Sequence, residues 1–174
     1  MGVILFVCTG NTCRSSMAAA IAARLGEERD LAVTVTSAGL AAREGDPATP
    51  EAIQALAEMG IDLQGHRAQQ VTAALVHNAD LVLAMTASHK RRLQQLFPED
   101  ADKIFTLKEY VRRRGAAPAA AGEGRDEAAG GLEAAFDDDI PDPIGRPLAV
   151  YRDTARVLAG LVGQALDIFS REKK

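Results

Sequence analysis

Cys8 and Arg14 stand six positions apart, in the run Cys8-Thr9-Gly10-Asn11-Thr12-Cys13-Arg14-Ser15. These residue types at this spacing fit phosphate chemistry. A loop that runs into the start of a helix presents unpaired backbone N–H groups and the positive end of the helix dipole. Gly10 lets the chain turn back on itself, and Asn11 tolerates left-handed backbone angles. A chain curled in this way turns successive N–H groups inward and forms an anion nest. The planar fork of Arg14 suits two phosphate oxygens at once. The same field favours a thiolate at Cys8. A thiolate inside an oxyanion-binding cup is a nucleophile aimed at phosphorus. Ser15 is placed to donate to that sulfur and help it leave later.

The competing reading is a buried cysteine after a strand, and Cys-x5-Arg alone arises by chance. The run is more specific than that, because Gly and Asn lie inside it, Ser follows it and an apolar strand precedes it. It is not a Walker loop, which needs Gly-Lys-Ser/Thr at its end, nor does it carry the glycine fingerprint of dinucleotide-binding folds.

These residues need elements to hold them. Residues 2–7 are an unbroken apolar run, the pattern of a parallel strand buried on both faces. After the loop, Met17, Ile21 and Leu25 recur at helical spacing, with Ser15 or Ser16 able to cap that helix. Val33-Thr34-Val35-Thr36 reads as a second strand. Thr49-Pro50 opens a helix that Gly60 stops. Residues 70–77 form a short helix, Leu81-Val82-Leu83-Ala84 a third strand, 86–96 a polar-faced helix and 103–106 a fourth strand. Residues 115–140 are rich in Ala, Gly and acid and read as a flexible insert, with Asp137-Asp138-Asp139 as its solvated end. From Pro147 onward, Leu148, Tyr151, Leu158, Val162, Leu166 and Phe169 mark a closing helix. Strands alternating with helices predict an α/β domain, its parallel sheet covered on both faces. Ligands in such folds sit at the carboxyl ends of strands, which is where Cys8 falls.

The 174 residues fit one domain, 1–174, and 47% apolar residues can bury a real core. A net charge of −4 is a poor match for a nucleic-acid binder, so the basic clusters Lys90-Arg91-Arg92 and Arg112-Arg113-Arg114 read as solvated surface. No apolar run reaches the ~18 residues of a membrane span. With two cysteines and three scattered histidines, neither a disulfide framework nor a metal site is expected. These features together predict a cytoplasmic protein with reduced thiols and no cofactor.

Val7-Cys8-Thr9-Gly10-Asn11 to Arg14-Ser15, Ser37-Ala38-Gly39, His66-Arg67-Ala68 and Asp142-Pro143 resemble the low-molecular-weight protein tyrosine phosphatase family. The resemblance covers nearly the whole chain except the insert. It is nearer to the bacterial branch of protein arginine phosphatases, through Thr12, Leu83-Ala84-Met85-Thr86 and Phe105-Thr106-Leu107-Lys108-Glu109-Tyr110-Val111. It implies a three-layer sandwich with a four-stranded parallel sheet in order 2-1-3-4. It also implies that Cys8 forms a phosphocysteine, that the loop from Thr9 to Ser15 binds phosphate and that Arg14 holds the transferring group. Asp142 would protonate the leaving group and then activate water, a proton the thiolate itself cannot supply. Asn11, Ser37 and His66 would hold the loop in shape.

The sequence departs from the family pattern in three places. Ser16 and Ala19 stand where the family often has Pro and Glu. Ile144 replaces the aromatic residue after Asp142-Pro143, which removes a wall for a phosphotyrosine ring. The insert precedes the acid loop. Thr12, where tyrosine phosphatases usually carry Ile, brings a hydroxyl to the cup wall. Thr12 and Ile144 are therefore the expected substrate selectors. Cys13, five residues from Cys8, is the expected redox partner that traps oxidised Cys8 as a disulfide. Phosphorylated proteins are the expected substrates, with inorganic phosphate as product and competitive ligand. The alternatives are a tyrosine phosphatase with the same chemistry, an arsenate reductase, which needs a third cysteine, and a non-catalytic phosphate-binding module.

Overall fold

The computed structural model describes residues 1–115 and 137–174. Most of the insert expected at 115–140 therefore lies outside the described residues. Four strands, β1 (Gly2–Cys8), β2 (Val33–Gly39), β3 (Leu81–Ala84) and β4 (Ile104–Thr106), form one sheet in the order β2-β1-β3-β4. Every pairing is parallel. This is the predicted α/β sandwich in its predicted strand order.

β1 is central, which explains its unbroken apolar run. Ile4, Phe6 and Cys8 point into one core, and Leu5 and Val7 into the other. The first core is closed by α1 (Arg14–Glu28), α2 (Pro50–Ala57), α5 (Leu107–Gly115) and α6 (Leu148–Glu172). The second is closed by α3 (Ala73–Asn78) and α4 (Ala87–Leu96), through Val76 and Leu93. At ~25 cal/mol per Å² of apolar surface, such two-sided burial holds β1 firmly in place. A rigid β1 fixes the residue at its carboxyl end, Cys8.

Two parts of the sequence reading need correction. The helix after the loop begins at Arg14, with Cys13 at its N-cap and no side-chain cap. Ser15 and Ser16 are helical residues inside the first turn, not caps. The reason is functional geometry: a capping side chain would occupy N–H groups that an anion site must keep open. The basic clusters and the three acids are also not simply solvated. Lys90 Nζ meets both carboxylate oxygens of buried Glu109, at 2.9 and 2.8 Å. Arg112 pairs with Asp138, and Arg114 with Glu172 at 2.7 Å. Asp139 Oδ1 accepts from the Ala87 N–H at the start of α4, at 2.8 Å. These charges tie α4, α5, α6 and the chain after residue 136 to one another.

Helix α5 was not anticipated. Its start is a reciprocal capping box: the Glu109 N–H donates to Thr106 Oγ1 at 3.0 Å, and the Thr106 N–H donates to Glu109 Oε2 at 3.2 Å. No helix among the described residues is long and apolar enough to cross a membrane.

Candidate active site

The carboxyl ends of β1 and β2 meet at the register pair Cys8 and Gly39. Two further bonds continue the contact beyond the strands, from Leu40 N–H to Cys8 O and from Ala41 N–H to Thr9 O, both 2.9 Å. The approach is close enough to require glycine. A Cβ on Gly39 would lie 2.4 Å from the Thr9 carbonyl oxygen and 3.0 Å from Asn11 N. Gly39 therefore sets how near β2 comes to the loop, a role that the motif Ser37-Ala38-Gly39 did not reveal on its own.

Within the loop, the left-handed residue is Asn11, at φ 59°, and Gly10 does not adopt a positive φ. Both residues were expected to serve the turn, and of the two Asn11 takes the left-handed angle. Its side chain shows why an asparagine stands there. Asn11 is fully buried, and its Nδ2 donates to Ser15 Oγ and to Ser37 Oγ, each at 2.9 Å. Its Oδ1 accepts from the Gln69 N–H at 3.0 Å. His66 Nε2 lies 2.6 Å from the Asn11 carbonyl oxygen. Burial holds His66 below the ordinary imidazole range, against the opposing effect of this bond, so a neutral ring donates Nε2–H to the carbonyl. The network fastens the loop to β2 and to the segment after α2. Gln69 belongs to it and was not foreseen.

Cys8 is 3% exposed, at the floor of the cup. Its sulfur lies 2.9 Å from Ser15 Oγ and 3.3 Å from the Asn11 N–H. Both are donors to a thiolate, and Asn11 Nδ2 occupies a Ser15 Oγ lone pair, which turns the Ser15 hydroxyl proton toward sulfur. Arg14 is also buried. Its Nη1 donates to the Ile140 carbonyl at 2.9 Å, and its Nη2 pairs with Asp142 Oδ2 at 3.3 Å. The structure thus brings Cys8, Arg14 and Asp142 together from β1, α1 and the chain preceding α6. Asp142 is partly exposed, and its Oδ1 accepts the Ile144 N–H at 3.1 Å, a local turn that aims the carboxylate. Ile144 is 58% exposed. Thr12 is half-buried on the loop wall. Cys13 Sγ lies 3.6 Å from both Thr49 Oγ1 and Tyr151 OH, and burial pushes Tyr151 up to about 12.

A residue missed in the sequence completes the site. His89, in the first turn of α4, is 8% exposed, and its Nε2 lies 2.8 Å from Thr9 Oγ1. Burial first, and the nearby Arg14 second, push it down to about 4, against the opposing carboxylates of Asp139 and Asp142. Its signal was positional: it sits just past the carboxyl end of β3, three residues after the helix-capping Thr86. The shift has a consequence for stability. Between pH 6.5 and about 4 the unfolded chain protonates this histidine and the folded chain does not, so the fold weakens as pH falls through that window. The loss from this group is about 3 kcal/mol at most. Urea midpoints measured across the window should fall more steeply for wild type than for His89→Gln, and parallel curves would remove the effect.

Among the described residues no cluster of His, Cys, Asp or Glu could hold a metal ion. The arrangement instead places a buried thiol, a buried arginine and an exposed carboxylate around one loop at the start of α1.

Comparison with known proteins agrees with this geometry. Residues 3–121 match the family described as low molecular weight phosphotyrosine protein phosphatase. A protein-arginine-phosphatase of Bacillus subtilis is 37% identical over 171 residues, covering 98% of this chain and 99% of that protein. A structure described as YwlE arginine phosphatase, a cysteine-to-serine mutant with phosphorylated active site serine, superposes with a TM-score of 0.79 at 38% identity, covering 99% of this chain and 96% of that one. A low molecular weight protein tyrosine phosphatase from T. tengcongensis superposes equally well, with a TM-score of 0.79 at 42% identity, covering 96% and 99%.

Proposed function

We propose, for a chain that belongs to the low molecular weight phosphotyrosine protein phosphatase family, that it removes phosphate from phosphoarginine in proteins. It is a cysteine-dependent phosphatase, and the observation that carries the chemistry is the Cys8 sulfur held between Ser15 Oγ and the Asn11 N–H at the start of α1.

In the first step the Cys8 thiolate attacks phosphorus in line, forming a P–S bond as the P–N bond to the guanidino group breaks. Asp142, as the acid, gives its proton to the departing nitrogen. The loop N–H groups and the Arg14 fork hold the equatorial oxygens, where charge gathers. In the second step water attacks the phosphocysteine, and the Asp142 carboxylate takes a water proton. The P–S bond breaks, and Ser15 and the Asn11 N–H receive the returning thiolate. The products are arginine and inorganic phosphate, which competes for the same cup.

Support for phosphoarginine over phosphotyrosine comes from three features: full-length identity to a protein named for arginine, the hydroxyl of Thr12 on the cup wall, and Ile144 in place of an aromatic wall. Steady-state rates on a phosphoarginine peptide and a phosphotyrosine peptide test it. Wild type should prefer phosphoarginine, and Thr12→Ile should move the ratio toward phosphotyrosine by about tenfold. A wild-type preference for phosphotyrosine would overturn the substrate, and an unmoved ratio would remove Thr12 as selector.

Cys13 is the proposed resolving thiol. Peroxide would oxidise Cys8 to a sulfenic acid, and the Cys13 thiol would condense with it, releasing water and closing a disulfide. Cys13 must leave Thr49 and Tyr151 to do so. Peroxide inactivation should be reversed by a thiol reductant in wild type and not in Cys13→Ala. Equal reversal in both would exclude this role. The reduced state that catalysis requires fits a cytoplasmic location.

A further inference from the structure

The phosphate loop is braced on its β2 side by Asn11, Ser37, His66 and Gln69. Toward α4, Thr9 Oγ1 lies 2.8 Å from His89 Nε2. The two partners differ in exposure. His89 is buried, while Thr9 is exposed at the mouth, one residue beyond the nucleophile. Cys8, Asn11, Arg14 and Ser15 are all buried. Since the phosphoryl group must reach Cys8 at the floor, the side chain that bears it passes the rim where Thr9 stands.

The state of the imidazole decides what Thr9 presents there. A neutral imidazole has one N–H and one bare nitrogen. His89 Nδ1 is buried without a hydrogen-bond partner. Placing the proton on Nδ1 would bury an N–H with no acceptor, whereas placing it on Nε2 leaves only a bare lone pair. The second is the cheaper defect. His89 therefore donates Nε2–H to Thr9 Oγ1, and this bond fixes the rotation of the Thr9 hydroxyl. The Thr9 oxygen keeps a second lone pair, and Thr9 is exposed.

We propose that His89 is a specificity-positioning residue, which holds the Thr9 hydroxyl as a hydrogen-bond acceptor for the N–H groups of an incoming phosphoguanidino side chain. This inference rests on the phosphoarginine reading and adds to it a pair of residues distinct from Thr12 and Ile144. A guanidino group brings several N–H donors to the mouth, and an aryl phosphate brings none. The contact would discriminate between them because an unmade hydrogen bond is costly only to the substrate that has the donor.

The test compares kcat/KM on a phosphoarginine peptide and on p-nitrophenyl phosphate for wild type, Thr9→Val, His89→Leu, His89→Gln and the double variant Thr9→Val/His89→Leu. Thr9→Val and His89→Leu should each lower the ratio of kcat/KM on phosphoarginine to kcat/KM on the aryl phosphate by about fivefold, beyond any loss that the two substrates share. The double variant should be no worse than either single one, because His89 acts through Thr9. His89→Gln, whose amide nitrogen reaches where Nε2 stood, should restore the wild-type ratio. Equal losses on both substrates, multiplied losses in the double variant, or a His89→Gln protein no better than His89→Leu would overturn the proposal. If His89→Leu does not fold, the exposed Thr9→Val and the polar His89→Gln still decide it. Wild-type preference for a phosphotyrosine peptide over the phosphoarginine peptide would instead overturn the phosphoarginine reading, so the two failures are separable.

Discussion

Replacing Cys8 by serine should lower turnover by about 10⁴-fold or more, because the nucleophile and its partners act as a unit. The substitution changes little else. Cys8 is buried, its neighbours Ser15 and Asn11 are held by Ser37 and Gln69, and a serine oxygen fits where sulfur stood. The cup should still bind phosphate. What is lost is ionisation: a hydroxyl beside Arg14 stays protonated, and an alkoxide leaves phosphorus far less readily than a thiolate. The variant should therefore bind substrate, react slowly once and stall as a phosphoseryl protein. Intact mass spectrometry after incubation with a phosphoarginine peptide should show one added phosphoryl group on Ser at position 8. The relative with a phosphorylated active site serine gives this outcome a precedent. Residual turnover near wild type would mean that Cys8 is not the nucleophile. Loss of phosphate binding as well would mean that the thiolate helps shape the cup.

Asp142→Asn should cost about 10²–10⁴-fold in kcat, the ordinary worth of a placed general acid. The dependence on leaving group carries more information than the size of the loss. An amide keeps the shape and the turn to Ile144 but has no proton to give. Substrates whose leaving group departs badly unless protonated should suffer most. p-Nitrophenyl phosphate, whose leaving group is stable as an anion, should suffer least in the first step. Because Asp142 also pairs with Arg14 at 3.3 Å, a rival account makes it only the partner that orients Arg14. That account predicts an equal loss on every substrate. A loss that grows with leaving-group basicity supports the acid role, and a flat loss removes it.

The sequence disclosed the chemistry of the loop more readily than its mechanics. Cys8, Arg14 and Ser15 were legible because their types and spacing are dictated by phosphate geometry, and the strand order followed from the resemblance. The burial of β1 was legible because a two-faced strand has no polar positions to hide. Other features depend on pairings that spacing does not encode. His89 reaches Thr9 across 80 positions, and nothing along the chain marks that contact. Gly10 was the natural turn residue by propensity, yet Asn11 takes the left-handed angle because its side chain is needed by Ser15, Ser37 and Gln69. Helix α5 carries its start signal in Thr106 and Glu109, but the strand before it has only 3 residues, too few to mark a boundary by pattern. The acids at 137–139 looked solvated because their partners, Arg112 and the Ala87 N–H, come from elements distant in sequence.

Ile140 is a buried residue of the acid loop, 1% exposed, with its N–H on the Met85 carbonyl at 2.9 Å and its own carbonyl on Arg14. Asp142 follows it by two residues. The acid is therefore tethered to the sheet from a point just upstream of itself, independently of how much chain comes before. The separation of Cys8 and Asp142 is thus a property of three bonds, made by Met85, Ile140 and Arg14, and not of the length of the loop that carries the carboxylate.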